Sequence, residues 1–245
     1  MTEGMIVVTG GGRGIGASVS RKLAAAGYAI AVNYTSGEAA AQATAAAIRA
    51  QGGRAEAFGA DVADASAVAA MFADAERALG PLTGLVNNAG IIGRAARIDD
   101  QNVEDLARLF AVNVIGTMLC AKEAVRRLST RHGGKGGAIV NVSSVAARLG
   151  GLAGIIPYAS SKGAVESFTR GFANEVAREG IRVNCVAPGM TATDMSTNEM
   201  REAALLGIPM GRVATADDIA EGVVWLISPA AGYVTGTVLT VSGGR

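Results

Sequence analysis

The stretch MIVVTGGGRGIG, residues 5–16, is an apolar β-type run, then a glycine cluster, then the start of an Ala- and Ser-containing helical pattern. That order gives the cluster a meaning that glycines alone would not have. Glycines let the chain turn sharply and let backbone approach a pyrophosphate, while the following helix presents unpaired N–H groups and the positive end of its dipole. Gly10, Arg13, Gly14, Ile15 and Gly16 are therefore expected to hold a dinucleotide. The spacing is Gly10-x3-Gly14-x-Gly16, and no P-loop Lys-Ser/Thr pair follows, which disfavours nucleotide hydrolysis.

Working outward, short β-type runs recur at Met5–Val8, Ala29–Tyr34, Ala55–Phe58, Gly84–Val86, Ala138–Val142, Arg182–Val186 and Val238–Val241. Helical patterns fill the gaps: 15–26, 38–51, 66–79, 103–128, 158–178 and 217–227. The strands are apolar on both faces, as in a parallel sheet covered by helices on both sides. No linker composition or fixed-period repeat is visible. The expected fold is a single α/β domain over residues 1–245, Rossmann-type and doubly wound, with a seven-stranded parallel sheet.

The 245 residues carry 22 Lys+Arg against 21 Asp+Glu, and half are apolar, which argues against disorder, a nucleic-acid partner or an acidic membrane surface. The charge-free tract Gly222–Gly244 is long enough for a membrane span. Ser228-Pro229, Gly232, Gly236 and three threonines break it, so a helix end, a loop and a strand are expected instead. No export signal is visible, and Cys120 and Cys185 sit in apolar runs as reduced core thiols without metal-ligand spacing, which suits a cytoplasmic protein. The single histidine, His132, lies in a Gly-rich surface connection. Leu106, Leu109, Phe110, Val114 and Met118 form a stripe for core or subunit packing.

The end of the second strand reads Asn33-Tyr34-Thr35-Ser36, without the carboxylate that would accept from a free ribose hydroxyl; Glu38 comes late, at the start of the next helix. With Arg13 in the glycine turn and Asn33, Thr35 and Ser36 as neutral donors, NADP(H) is preferred and NAD(H) remains possible. Farther on, Tyr158 and Lys162 are four residues apart, on one helix face, with Pro157 suited to the first turn. Ser144 stands fourteen residues earlier, at the end of an apolar strand, where open parallel sheets bind ligands. Moving a phenol from about pH 10 to about 7 takes roughly 4 kcal/mol, which a neighbouring Lys and a cationic nicotinamide would supply.

Together these residues resemble the short-chain dehydrogenase/reductases over the whole chain. TGGGRGIG matches the family's cofactor turn, Asp61-Val62 its adenine-contacting pair, and Asn87-Asn88-Ala89-Gly90 its NNAG motif. Asn113 falls in its long helix, Ser144 matches its serine, Tyr158 and Lys162 its YxxxK, and Pro188-Gly189 with Thr191 and Thr193 its segment beside the nicotinamide. The resemblance implies hydride transfer between a nicotinamide and a carbonyl or alcohol carbon. Tyr158 exchanges the proton, Ser144 holds the substrate oxygen, Lys162 lowers the Tyr158 pKa and binds the ribose, and Asn113 holds a water linking Lys162 to solvent. Ser143 has a supporting place, because strand alternation turns it away from Ser144.

Three readings of the substrate follow. A 3-oxoacyl carrier protein reductase fits the motifs, but one Arg that such enzymes typically offer to the acidic carrier is replaced by Asn174, leaving Arg131. A sugar or polyol dehydrogenase, like the glucose dehydrogenases, fits the Ser-to-Tyr spacing. A non-catalytic dinucleotide sensor would typically lack Tyr or Lys. Met190, Met195, Met200, Leu205, Leu206 and Met210 mark a substrate loop or, equally, a packed helix. No metal is implied, and the resemblance suggests a homotetramer.

Overall fold

The structure, a computed structural model, describes residues 4–245. Its first half alternates β1 (Met5–Val8), α1 (Gly14–Ala25), β2 (Ala29–Tyr34), α2 (Glu38–Ala50), β3 (Ala55–Gly59), α3 (Ala65–Leu79) and β4 (Leu82–Asn87). A long rod follows, made of α4 (Val103–Phe110), a π-helical turn (Ala111–Ile115) and α5 (Gly116–Leu128). Then come β5 (Gly137–Val142), α6 (Ala146–Leu149), α7 (Ile156–Val176), β6 (Ile181–Pro188), α8 (Asn198–Leu205), α9 (Ala216–Ile227) and β7 (Val238–Val241). The seven strands form one sheet in the order β3-β2-β1-β4-β5-β6-β7, every pair parallel.

Strand alternation explains the two-sided apolar pattern. Met5 and Val7 of β1 point into one layer with Phe72 of α3, Ala124 of α5 and Phe172 of α7. Ile6 and Val8 point into the other with Val19 of α1, Ile48 of α2 and Val223 of α9. Fully burying a side chain of this size stabilises the fold by about 1.5–3 kcal/mol, so both faces must be covered. The chain passes from the β3 edge back to β4, beside β1. That reversal opens a crevice at the carboxyl ends of β1 and β4, where doubly wound sheets bind ligands.

The tract Gly222–Gly244 resolves into the end of α9, a 3-10 turn at Pro229–Ala231, a loop and β7. Arg182 of β6 holds the α9 end, donating to the Leu226 and Ile227 carbonyl oxygens at 2.8 and 3.1 Å. No helix among the described residues is long and apolar enough to cross a membrane. Cys120 and Cys185 are free and buried, and His132 lies in an exposed 3-10 turn.

Two expectations change. The helix read as continuous over 103–128 contains the π-helical turn, whose extra residue swings Asn113 inward. The segment after Pro188-Gly189 holds a short helix, α8, of which only Ala204 is buried; Met195, Leu205, Leu206 and Met210 stay exposed.

Candidate active site

The glycine turn runs from β1 into α1. Gly10 and Gly14 take φ values of 60° and 50°, the left-handed region that favours glycine. A Cβ on Gly16 would overlap the Gly10 carbonyl oxygen and approach Asn88 Nδ2 to 2.6 Å. The turn is stitched to the end of β4: Asn88 Nδ2 donates to the carbonyl oxygens of Thr9 and Gly10 at 2.9 and 3.1 Å. The Asn88 and Ala89 amides both donate to Thr9 Oγ1 at 3.0 Å.

A cavity of about 560 Å³ opens above this turn, lined by Gly10, Arg13, Gly14, Ile15, Asn33, Thr35, Ser36, Asp61, Val62, Asn88, Ala89 and Gly90. Gly16 stands just behind the lining, where its lack of a side chain permits the turn. Arg13 lies with Nε 3.5 Å from the place a Cβ would take on Gly37. Left-handed glycines at a helix N-terminus, a long cleft and a cation at one end fit a dinucleotide phosphate.

The expected role of Asn33 needs correction. Its Nδ2 donates to the Tyr34, Phe58 and Ala60 carbonyl oxygens at 3.3, 3.3 and 3.0 Å, and its Oδ1 accepts from the Gly10 amide at 3.2 Å. Both amide hydrogens are engaged by backbone, so Asn33 ties β2 to β3 and to the glycine turn rather than serving as a free phosphate donor. Thr35 Oγ1 likewise donates to Ala60 O at 3.2 Å. Glu38 opens α2, as expected, and its carboxylate, after burial, pushes the Tyr34 phenol upward. Asp61 accepts from the Ala63 amide at 3.0 Å and from Arg108 at 2.8 Å. Arg108 also lines the cleft, and nothing in the sequence around it signals this.

A second cavity, of about 200 Å³, adjoins the first. Both share Ile15, Asn88, Gly90, Ile92, Thr193 and Met195 in their linings. Ser144, Tyr158, Lys162, Pro188, Gly189 and Thr191 face this second space, so the expected constellation is brought together at the carboxyl ends of β5 and β6. Pro157 occupies the first turn of α7. Strand alternation separates the two serines as expected: Ser143 Oγ turns to the Lys162 carbonyl oxygen and Glu166 Oε1, both at 3.1 Å, while Ser144 stands beside the Tyr158 phenol.

Electrostatically the site departs from the sequence reading. Lys162 Nζ lies 5.7 Å from the Tyr158 ring centroid and donates to the Val142 carbonyl oxygen at 2.8 Å. Burial pushes this ammonium down to about 8. Burial also pushes the Tyr158 phenol above its ordinary value, and the Ser144 hydroxyl only partly offsets this. The expected lowering by Lys162 is not produced by the chain alone. Asn113 differs too: Nδ2 donates to Ile91 O at 2.9 Å and Ser161 Oγ at 3.0 Å, and Oδ1 accepts from the Ile91 amide at 2.8 Å. Both its amide hydrogens are engaged within the chain, so a water held by Asn113 would have to donate to its Oδ1 or backbone carbonyl oxygen.

The segment between Pro188 and α8 is pinned by a residue the sequence did not single out. Arg201 donates from Nη2 to Thr193 O and Ser196 O at 2.8 and 2.9 Å, and from Nε to Ser196 Oγ at 2.9 Å. Thr193, so held, packs against Gly14, its Cγ2 3.2 Å from the place of a Cβ there.

A family model described as enoyl-(acyl carrier protein) reductase matches residues 10–245. The uncharacterized oxidoreductase YgfF of Escherichia coli is 43% identical over 98% of each chain. The chain is a short-chain dehydrogenase/reductase. Another relative of this dehydrogenase/reductase, the 3-oxoacyl-[acyl-carrier-protein] reductase of Synechocystis, is 38% identical over 100% of this chain and 97% of its own. A short chain dehydrogenase from Burkholderia cenocepacia, solved in complex with NADP, has a TM-score of 0.92 at 38% identity, covering 99% of this chain and 97% of that one. The family's oxidoreductase character and its Rossmann fold thus belong to this chain as well.

Proposed function

We propose that this oxidoreductase reduces a carbonyl group on a compound with an apolar body, NADP(H) preferred and NAD(H) possible. The observation that carries the reading is the second cavity. Its wall includes Leu149, Leu152, Ile155, Met190 and Met195 beside Ser144 and Tyr158, a larger apolar share than a sugar's hydroxyls require. The carrier-protein reading has less support, because Arg131 precedes β5 and Asn174 lies near the end of α7, before β6, at the amino ends of these strands, whereas Ser144 follows the carboxyl end of β5.

The dinucleotide, when bound, supplies or accepts the hydride. Gly10, Arg13, Gly14, Ile15 and Gly16 would hold its phosphates, with Ser36 and Arg13 available to a 2′-phosphate. Asp61 and Val62 would contact the adenine, and Asn88, Ala89, Gly90, Pro188, Gly189, Thr191 and Thr193 the nicotinamide end. Ser144 orients the substrate oxygen and Tyr158 transfers the proton. A phenol raised by burial keeps its proton at neutral pH, which suits donation to a carbonyl. Lys162 binds the ribose, and Asn113 positions the Ile91 backbone beneath it. The buried free thiols suit a cytoplasmic setting.

NADPH and NADH oxidation is measured against ketones, 3-oxoacyl thioesters and aldoses. Ketone turnover with NADPH supports the proposal; aldose oxidation alone, or tighter binding of NADH, overturns it. Tyr158→Phe is expected to lose 10²-fold or more in kcat while still binding NADPH. Full activity in that variant excludes the proton-transfer role.

A further inference from the structure

The wall of the second cavity contains two cations, Lys162 and Arg245. Lys162 is engaged by the Val142 carbonyl oxygen and lies under Tyr158. Arg245 is different. Its backbone is anchored, with the carbonyl oxygen accepting from Ser242 Oγ at 2.7 Å and from the Arg148 guanidinium, which α6 supplies four residues after Ser144. Its own guanidinium lies beside the turn after α8, with Cζ and Nε 3.7 and 3.8 Å from the place a Cβ would take on Gly207.

Other guanidinium groups near this cavity are all accounted for. Arg201 holds Thr193 and Ser196, Arg212 pairs with Asp218 at 2.7 Å, and Arg148 serves Arg245 itself. Among the described residues, the Arg245 side-chain nitrogens donate to no acceptor and no Asp or Glu side chain stands within ion-pair distance, while its main-chain oxygen is taken by Ser242 and Arg148. A guanidinium presents five donors in a planar fork that matches an oxyanion bidentately. Beside aliphatic and methionine side chains, in a half-enclosed space, such a pair is stronger than in open water. The backbone anchors fix the place from which the side chain reaches the cavity wall.

We propose that Arg245 determines substrate specificity by binding an oxyanion, a carboxylate or a sulfonate, carried by the substrate in addition to its reacting carbonyl. The proposal rests on the carbonyl-reductase reading for the turnover it predicts, but not for the binding. The substrate class is then a short oxo acid with an apolar middle: the oxygen to be protonated faces Ser144 and Tyr158, the chain lies along Leu149, Leu152 and Met190, and the anion meets Arg245.

The test uses the NADP-saturated enzyme and two readouts. Calorimetric titration with hexanoate, hexanesulfonate and hexanamide is expected to show at least tenfold weaker binding of the better-bound anion in Arg245→Gln, with hexanamide unchanged and Arg245→Lys in between. Comparison of hexanoate with hexanesulfonate distinguishes the two anions. In parallel, a 4-oxo acid and its methyl ester are compared as substrates with NADPH. The variant is expected to raise KM for the acid at least tenfold with kcat near wild type, and to leave the ester untouched. Equal anion binding by wild type and Arg245→Gln overturns the proposal, as does equal loss for amide and anion. An anion difference without turnover of either ketone sustains the Arg245 site and brings down the carbonyl-reductase reading instead.

Discussion

Lys162 is buried with a carbonyl oxygen as its hydrogen-bond partner and no carboxylate within ion-pair distance among the described residues. Below about pH 8 the folded and unfolded chains both carry this proton, and the folded state bears the full cost of desolvating it. Between about 8 and the ordinary value of 10.5 the folded chain has released a proton that the unfolded chain still holds, so this group's effect on stability rises with pH. The interval corresponds to about 3 kcal/mol. Relative to Lys162→Met, the parent is therefore expected to gain about 3 kcal/mol between pH 7 and 10.5, or roughly 6–12 °C in Tm. Thermal melts of the two proteins across that range check this; a constant gap means that the ammonium is not desolvated in the fold. The same burial that weakens the fold keeps a proton-labile amine beside Tyr158.

At the scale of elements, the rod from α4 to α5 shows how a tertiary demand overrides a regular pattern. The apolar spacing over 103–128 is that of one helix, and the π-helical turn within it coincides with Asn113 grasping both the amide and the carbonyl of Ile91. Asn113→Ala leaves that amide and carbonyl without partners, and a loss of about 2–4 kcal/mol in urea unfolding is expected. An unchanged midpoint would show that the loop after β4 is held by something else. The five inner strands were legible because apolar residues on both faces follow directly from helices covering a parallel sheet, and the edge strands β3 and β7, only partly buried, from their short β-type runs. The site was legible where its residues lie at strand ends or at fixed helical spacing, as with Gly10 to Gly16, Ser144, Tyr158 and Lys162. Asn33 misled because its amide looked available and is engaged by three backbone carbonyls. Arg108 and Arg245 were missed because their contacts cross between elements distant in sequence, and Arg201 because the irregular turn it holds, at Thr193 and Ser196, has no periodic pattern to read. Helix α8 was ambiguous because a single buried residue leaves hardly any periodicity to read.

For the molecule as a whole, apolar side chains remain uncovered away from the cavities as well as around them. Phe110, Ile115 and Met118 lie exposed along the rod, and Trp225 and Tyr233 lie exposed on α9 and the loop leading to the edge strand β7. Exposed apolar patches of this kind mark contacts between protein surfaces. A homotetramer using both is expected, about four times the 24.5 kDa chain by light scattering; Ile115→Asp with Met118→Asp should yield dimers, and a monomeric parent would contradict the assembly. Between its two edges the sheet is divided by one seam, where β1 meets β4, two strands far apart along the chain. Thr9 on one side and Asn88 on the other close it. A dinucleotide held, as proposed, by Gly10 to Gly16 and also by Asn88 to Gly90 would span that seam, so its binding would be linked to the docking of the two parts of the sheet. At a hundred times its Kd such a ligand adds about 2.7 kcal/mol against unfolding. A cofactor bound there would act as a fastener of the fold, and melting with and without NADPH is expected to show the difference.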